Sequence, residues 1–283
     1  MMLVLPFAAA SVILHAHWWA VNWAPVAMWA LGLSALLGLA AWKVRSATAG
    51  GAFTGAVVTA SLMFSTTTVP YLPWETALVP VVVVLVLAGL ATRLGAKQKQ
   101  RMGIGESRNG RTASQVAANI GVATLVCDEL AQSWLHSTGL FQSAAQAPAG
   151  LFAVGLAALA EAAADTVSSE IGQVIGGRPR MLTTMRSVEP GTDGAVSPAG
   201  TLSGIAAAGA VAAAGALALG GGAEMFAVGW AGGVFGLFFD SLLGATVERR
   251  GWFNNDMVNF LSTASAAAFA LALLALLPSQ RAG

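Results

Sequence analysis

The chain alternates long apolar segments with short polar blocks along its whole length. Nine apolar segments are each long enough to cross a bilayer, which takes about 17–25 residues in a helix: residues 2–20, 24–42, 52–70, 76–94, 113–132, 148–167, 199–219, 223–244 and 259–278. No long polar stretch remains to build a separate soluble domain. The pattern therefore predicts one integral membrane domain over residues 1–283, an all-α polytopic bundle of about nine transmembrane helices.

The composition supports this prediction, and the basic residues orient the bundle. Hydrophobic residues make up 56% of the chain and charged residues 10%, with a formal net charge of +1. Lys and Arg follow the second, fourth, sixth and eighth segments, and Arg281 alone falls elsewhere. Because cytoplasmic loops carry an excess of these residues, we expect a cytoplasmic N-terminus and cytoplasmic loops at 93–112, 168–198 and 245–258. The expected location is a bacterial inner membrane.

The acidic residues and amides concentrate in short polar blocks beside the apolar segments. The blocks read GESRNGR at 105–111, ADTVSSEIG at 164–172, GTDGAVS at 191–197, FDSLLGATVE at 239–248 and NNDMVN at 254–259. Ionisable groups in or at the end of a membrane helix are costly, so such clusters indicate a functional site. The predicted topology brings all of them to one face.

The block after the sixth segment places carboxylates and hydroxyls on one helix face. Glu161 and Asp165 are four residues apart, Ser168 and Ser169 continue their face, and Glu170 lies just beyond. Mg²⁺ binds one or two carboxylates and completes its shell with water and phosphate oxygens, so the pattern suits this ion. Alternatively these groups only cap and solvate a helix end, and the deeper Glu161 pairs with an arginine.

The loop before the seventh segment suits an anion. Gly191 and Gly194 bracket Asp193, and glycines let backbone N–H groups converge on an anion near the positive end of a helix dipole. Ser197 fits the N-cap of that helix, and Pro198 fits its first position. An aspartate beside such a loop suggests a metal ion between it and phosphate. The alternative is an ordinary glycine-rich turn before a capped helix.

The last two blocks bring further polar groups to the same face. Asp240 lies near the end of the eighth segment, and the ninth opens with Asn255, Asp256 and Asn259. Because asparagine is a favoured helix cap, Asn254 or Asn255 alternatively serves only that purpose.

The loop at 93–112 supplies positive charge. Its sequence GIGESRNG matches neither a dinucleotide-binding fingerprint nor a phosphate-binding P-loop. Arg108 and Arg111 lie nearest the fifth segment, and Arg111, Gln115 and Asn119 follow at spacings of four, as a polar stripe aimed into the bundle. Three other basic residues of the loop are expected to contact anionic lipid or to hold the orientation: Lys97, Lys99 and Arg101.

Several stretches occur in a characteristic order: Arg111 with Gln115–Asn119, Ala164–Thr166 with Ser169–Gly172, Gly191–Ser197 with Gly200 and Thr201, Asp240–Ala245, and Asn255–Asp256 with Val258–Phe260. In this order they resemble the DUF92 integral membrane proteins, a family that includes the plant and cyanobacterial phytyl-phosphate kinases and animal transmembrane protein 19. The resemblance covers about residues 35–278. It extends to the CTP-dependent membrane lipid kinases, such as phytol kinase and dolichol kinase.

The resemblance implies transfer of a phosphoryl group from CTP, or another nucleoside triphosphate, to an isoprenoid monophosphate such as phytyl or geranylgeranyl phosphate. The partners would be the nucleotide, the isoprenoid phosphate and the bilayer, with no nucleic acid. Asp165, Asp193 and Asp240 would be catalytic, and with Glu170 they would bind Mg²⁺. The residues expected to bind nucleotide or phosphate are Arg108, Arg111, Asn119, Arg186, Gly191, Thr192, Gly194, Ser197, Asn255, Asp256 and Asn259.

Two alternatives remain open. One is a kinase for a lipid alcohol, in which Asp165 or Glu161 would act as the base on a hydroxyl group. The other is an ion-coupled transporter, in which carboxylates inside the membrane would bind protons or ions. A transporter is expected to place charges near the midplane and often contains an inverted repeat, whereas these charges gather at one face.

Overall fold

The structure of the protein is a computed structural model, and it describes residues 3–103, 110–137, 148–175 and 177–277. Within these ranges the fold is all-α apart from one short hairpin, in which β1 (Arg180–Met181) pairs antiparallel with β2 (Ala195–Val196). The helices are α1 (Val4–Asn22), α2 (Ala24–Lys43), α3 (Ala49–Ser65), α4 (Leu78–Arg93), α5 (Ala96–Arg101), α6 (Ala113–Cys127), α7 (Glu129–Ser137), α8 (Pro148–Ile175), α9 (Pro198–Ala218), α10 (Gly222–Leu243) and α11 (Asn255–Leu276).

The predicted all-α membrane bundle is confirmed. Among the described residues, each of the nine predicted segments corresponds to one apolar helix, and six of these are long and apolar enough to cross a membrane: α1, α2, α8, α9, α10 and α11. The other three, α3, α4 and α6, contain 17, 16 and 15 residues. Large apolar side chains such as Met28 and Leu217 are exposed on the outside of the bundle, as expected of helices in contact with lipid.

Helix α6 ends earlier than its segment predicts, at Cys127 instead of residue 132. Asp128 is the cause, because its side-chain Oδ1 accepts hydrogen bonds from the backbone N–H groups of Leu130 and Ala131, at 2.9 and 3.4 Å. A carboxylate that satisfies the first backbone donors of a helix acts as an N-cap, so the chain stops one helix and begins α7.

Helix α8 is the centre of the bundle. It packs against α4, α6, α9, α10 and α11. Within its most apolar stretch of 18 residues, 83% is buried inside the bundle. Small residues make this packing close: a Cβ atom added at Gly204 of α9 would lie 2.8 Å from Ala164 O, and one at Gly233 of α10 would lie 2.7 Å from Ala160 Cβ. Close approach through small residues is the usual way that helices associate in lipid. The helix that carries Asp165 is therefore enclosed by its neighbours.

Helix α8 also continues about two turns past the predicted end at residue 167, to Ile175. As a result the block ADTVSSEIG is helical, and Glu170 lies inside the helix and not beyond it. The packing of α9 explains the extension, because a Cβ atom at Gly200 would lie 2.6 Å from Ser168 O. The two backbones touch along this stretch, so α9 covers turns of α8 that carry polar residues.

The region 245–258, predicted as a loop, is largely helical. Helix α10 continues into a π-helical turn at Gly244–Glu248, and α11 already begins at Asn255. Only residues 249–254 connect the two elements. The turn and the start of α11 therefore hold their side chains on regular backbone.

Candidate active site

A polar cleft of about 250 Å³ lies at one end of the bundle. It is enclosed by α6, α8, α10, the π-helical turn, α11 and the segment 190–197. Most of the residues predicted as site residues line it: Arg111, Asn119, Asp165, Glu170, Gly191, Thr192, Asp193, Gly194, Ser197, Asp240, Asn255 and Asn259. The tertiary structure thus gathers groups that are up to about 150 residues apart along the chain.

Three predicted residues are not placed in the cleft. Arg108 lies outside the described residues. Arg186 is exposed in the connection between β1 and β2, where its backbone carbonyl accepts from Met181 N at 2.9 Å. Asp256 is half-buried in the first turn of α11 and does not line the cleft. A negative charge in a first helical turn is stabilised by the helix dipole, which gives Asp256 a local role in α11.

Five carboxylates line the cleft. Glu170 is described below, and the other four come from different parts of the fold. Asp165 of α8 lies beside Asp240 of α10, and Ser169 Oγ donates to Asp165 Oδ1 at 3.4 Å. Asp193 comes from the loop between the strands. Glu248 of the π-helical turn is near both Asp165 and Asp193. Ionised carboxylates only accept hydrogen bonds and repel one another, so this arrangement favours a cationic ligand.

Glu248 was not predicted as a site residue. The available signal was its place at the end of the block FDSLLGATVE, eight residues after Asp240. On a regular α-helix the two side chains would lie more than two turns apart. The π-helical turn and the packing of the loop at Asp193 against it bring Glu248 to the cleft.

The loop that carries Asp193 is held by backbone packing that requires glycine. Gly194 adopts a φ of +71°, and a Cβ atom added at Gly244 would lie 2.7 Å from Gly194 N. Side chains at either position would push the loop away from the end of α10. The predicted cap of α9 is confirmed, since Ser197 Oγ accepts from Gly200 N at 3.2 Å with Pro198 in the first turn. The N-terminus of α9 therefore lies at the cleft, since its N-cap Ser197 lines it.

Arg111 is fixed by its backbone as well as by its side chain. Its N–H donates to Ser46 O and its carbonyl accepts from Thr48 N, both at 3.0 Å, so the link between α2 and α3 holds it in place. The Arg111 guanidinium donates to Thr166 Oγ1 at 3.3 Å and lies close to Asp165. Arginine binds phosphate through a planar set of donors, which suits this position.

Two amides connect α6 to α11 across the floor of the cleft. Asn259 Nδ2 donates to Asn119 Oδ1 at 3.0 Å. The predicted stripe is confirmed, because Arg111, Gln115 and Asn119 all line the cleft. The N-cap of α11 is Asn254, whose Oδ1 accepts from Met257 N at 3.0 Å. Asn255 is therefore not the cap and lines the cleft.

Glu170 pairs with Lys99. Lys99 was expected to contact anionic lipid or to hold the orientation, and contact with lipid is excluded by its burial. The Lys99 side chain is buried and donates to the Glu170 carboxylate. Its Nζ also donates to Ala91 O at 3.3 Å and to Thr92 O at 2.9 Å, at the end of α4. A buried carboxylate needs such a partner. Glu170 lines the cleft, but one of its oxygens is already bound to this ammonium group.

Glu161 lies deeper than the cleft and does not line it. It is 1% exposed, and its neighbours include Asp165 and Ser262. Gly236 of α10 makes room for it, since an added Cβ atom there would collide with the Glu161 side chain. Its Oε1 has no hydrogen-bond partner among the described residues.

Comparison with known proteins finds a family model that spans all of the polar blocks. Residues 32–267 match the family model described as integral membrane protein DUF92. An uncharacterized membrane protein of Methanocaldococcus jannaschii is 43% identical over 108 residues, which cover 38% of this chain and 45% of that protein. An uncharacterized membrane protein of Synechocystis is 29% identical over 205 residues, covering 64% and 67%.

A plant protein is also similar to this chain. Protein VTE6, chloroplastic, of Arabidopsis thaliana is 29% identical over 181 residues, which cover 62% of this chain and 52% of the plant protein. The chain thus spans between about half and two thirds of the length of these relatives. No solved structure matches the chain.

Proposed function

We propose, from the premise that this chain belongs to the DUF92 family of integral membrane proteins, that its polar cleft is the active site of an isoprenoid-phosphate kinase. One observation carries the proposal. Carboxylates from α8, the 190–197 segment and α10 meet Arg111 and the N-terminus of α9 in a single cleft at the end of an apolar bundle. Enzymes transfer phosphoryl groups mainly by positioning the reactants and neutralising charge, and this set of residues provides for both.

In the proposed reaction, an oxygen of the acceptor monophosphate attacks the γ-phosphorus of CTP or another nucleoside triphosphate. The bond between that phosphorus and the bridging oxygen to the β-phosphate breaks, and the nucleoside diphosphate leaves with the electron pair. The acceptor becomes a diphosphate. A phosphate monoester is largely ionised at neutral pH, so the attacking oxygen needs no strong general base. The isoprenoid acceptor is supported by the resemblance to a family that includes phytyl-phosphate kinases.

Positive groups of the cleft would bind the phosphates. Arg111 supplies a guanidinium, and the loop Gly191–Gly194 with the N-terminus of α9 supplies backbone N–H groups. The paired amides of Asn119 and Asn259 supply further donors at the floor. These groups line the same cleft as the carboxylates, which suits phosphate-bearing substrates.

Magnesium fits the residues that are present. Asp240 Oδ1 is buried without a hydrogen-bond partner among the described residues. No three His, Cys, Asp or Glu side chains in the described part of the chain converge as a complete metal site. Mg²⁺ uses one or two carboxylates and takes its other ligands from water and substrate phosphates. We propose that Asp165 and Asp240, which lie side by side, bind the ion directly and that Asp193 binds it through water. The bound ion would neutralise charge on the transferred group.

We also propose that the cleft faces the cytoplasm. Several basic residues of the described part of the chain lie near the cleft. Arg45 and Arg93 line the same cavity as Arg111, and Arg249 contacts Met181 of the strand beside the loop at Asp193. An excess of Lys and Arg marks cytoplasmic loops. CTP and Mg²⁺ are available on that side.

A transfer assay tests the proposal. Purified protein in lipid nanodiscs is supplied with Mg²⁺, γ-labelled CTP, ATP, GTP or UTP, and phytol, phytyl phosphate, geranylgeraniol or geranylgeranyl phosphate. We expect label on the monophosphates, as diphosphates, and none on the alcohols. Label on the alcohols alone would identify a lipid-alcohol kinase. No transfer from any nucleotide would refute the kinase proposal.

One observation favours a second candidate, an ion-coupled transporter. Glu161 is a buried carboxylate next to Asp165 and Ser262, and carboxylates inside a membrane bundle are common in proton and ion pathways. The two candidates differ in what Glu161→Gln does. The kinase proposal expects transfer to persist, because Glu161 does not line the cleft, whereas a transporter would lose its ion-coupled uptake into proteoliposomes.

A further inference from the structure

A second cavity, of about 580 Å³, lies beside the polar cleft. It is bounded by α2, α3, α4, α5 and α6, and its walls are mostly aliphatic, with Leu37, Val81 and Ile120 among them. Arg111 and Asn119 line both this cavity and the cleft. The two spaces therefore share a boundary at residues that are proposed to bind phosphate.

The packing of the helices explains why this space exists. Helix α4 packs mainly on α8 and α9, whereas α3 packs mainly on α2, α6 and α1. Helices α3 and α4 touch each other at few positions, so a gap lined by both remains between them. Gly55 of α3 and Gly89 of α4 face this gap and widen it.

We propose that this cavity, here called the tail cavity, holds the hydrocarbon tail of the isoprenoid phosphate while its phosphate reaches the cleft at Arg111 and Asn119. The proposal rests on the proposed function and adds where the acceptor binds and what limits its length. It assigns α3 and α4 as the elements that select the tail.

Charge and size both favour this occupant. The basic residues that line the tail cavity, Arg45, Arg93, Lys99 and Arg111, lie at its cleft end, and the rest of the wall is mainly apolar. A ligand that is anionic at one end and hydrocarbon along the remainder matches this distribution. The volume lies within the roughly 300–1,000 Å³ of typical small-molecule sites. The lining of α4 from Val81 to Arg93 extends about 18 Å at the helical rise per residue, a length suited to a chain and not to a compact ligand.

Two glycines allow the cavity to be filled without disturbing the backbone. A Cβ atom added at Gly89 has no neighbour within 4 Å, and one at Gly55 meets only Val116 Cγ1, at 4.0 Å. Gly89→Phe and Gly55→Leu therefore project into the tail cavity. Gly32→Phe on α2 is the matched control, because Gly32 is equally open, exposed outside the bundle and absent from the lining. All three replace glycine within a helix, which favours the helix slightly.

Kinetics with acceptors of increasing tail length provide the first test. For Gly89→Phe and Gly55→Leu we expect kcat/KM for geranylgeranyl phosphate to fall at least about tenfold, since excluding two methylene groups from an apolar site forfeits roughly that factor. The value for dimethylallyl phosphate should change less than about twofold, and Gly32→Phe should resemble the wild type. Equal effects on the short and the long acceptor, or no effect on either, would overturn the tail cavity while the kinase function stands.

Photocrosslinking provides a second readout that does not depend on turnover. Wild-type protein in nanodiscs is labelled with a geranylgeranyl phosphate that carries a diazirine in its tail, without nucleotide. We expect the label on peptides from α3 and α4, less of it in Gly89→Phe, and competition by geranylgeranyl phosphate but not by inorganic phosphate or phosphatidic acid.

The crosslinking outcomes separate the two proposals. Specific label on α3 and α4 without any phosphoryl transfer would support the tail cavity and refute the kinase. Label on other helices of an active enzyme would support the kinase and refute the tail cavity. Equal competition by phosphatidic acid would show a general lipid site and overturn the assignment to an isoprenoid tail.

Discussion

The ion pair between Lys99 and Glu170 supports a quantitative prediction about the stability of the bundle. Only 3% of the Lys99 side chain and 11% of the Glu170 side chain are exposed. The Lys99 ammonium also binds two carbonyl groups at the end of α4, so it joins α4, α5 and α8. Lys99→Met removes this cation while keeping most of its aliphatic volume, and leaves the Glu170 carboxylate buried without its partner.

We expect Lys99→Met to lower the free energy of unfolding by about 3–5 kcal/mol, the usual cost of breaking a buried ion pair from one side. The double variant Lys99→Met with Glu170→Gln should recover much of the loss, because it removes the isolated charge. A buried ion pair replaced on both sides by uncharged groups is often close to neutral. Lys97→Met is the control, since Lys97 is exposed on the same helix.

Denaturation in mixed micelles, followed by tryptophan fluorescence, measures these differences. The reasoning would be refuted if Lys99→Met and Lys97→Met agreed within about 0.5 kcal/mol, the usual range for surface substitutions. It would also be refuted if the double variant were less stable than Lys99→Met alone. The single variant Glu170→Gln tests Glu170 as a metal ligand: a structural role predicts that this change leaves the Mg²⁺ concentration for half-maximal activity unchanged.

Three further predictions concern the cleft and one concerns its orientation. Asp165→Asn should lower turnover at least about a hundredfold, as expected when a group that stabilises transition-state charge is lost. The control Asp256→Asn should keep a turnover near that of the wild type. Equal turnover in the two variants would exclude Asp165 as a metal ligand. Gly194→Ala should lower the stability of the protein in thermal unfolding more than Gly177→Ala does, because both glycines have positive φ but only Gly194 packs against backbone. If the two variants lost the same stability, only the strain of an alanine at positive φ, about 1–3 kcal/mol, would be involved and the packing argument would fail. Mg²⁺ with CTP should raise the melting temperature more than either alone, and EDTA should reverse the gain. The reason is that a ligand at a hundredfold excess over Kd adds about 2.7 kcal/mol to the free energy of unfolding. No change in melting temperature would count against nucleotide binding. A cysteine at Arg249, in a variant without the native cysteine, should react only with reagents on the cytoplasmic side, and labelling from outside would reverse the proposed orientation.

The local features of this protein could be predicted from sequence because each depends on neighbours along the chain. The apolar segments located nine apolar helices among the described residues, because a chain that crosses a bilayer needs long apolar stretches. The caps at Ser197 and Asn254 follow from the preference of these side chains for the first backbone N–H groups of a helix. The spacing of four from Arg111 to Asn119 fixed which side chains share a face of α6. Clustering of the polar blocks then indicated most of the residues that line the cleft.

What depends on contacts between distant segments was decided only by the tertiary structure. The extension of α8 reflects contact with the glycines of α9, and the burial of Lys99 reflects a carboxylate 71 positions later in the chain. Glu248 reaches the cleft through a π-helical turn that local propensity does not reveal. The tail cavity exists because α3 and α4 pack on different partners. Hydropathy indicates whether a residue avoids water. Inside a membrane, however, both the lipid and the protein interior are apolar, so hydropathy does not indicate which helices pack against each other.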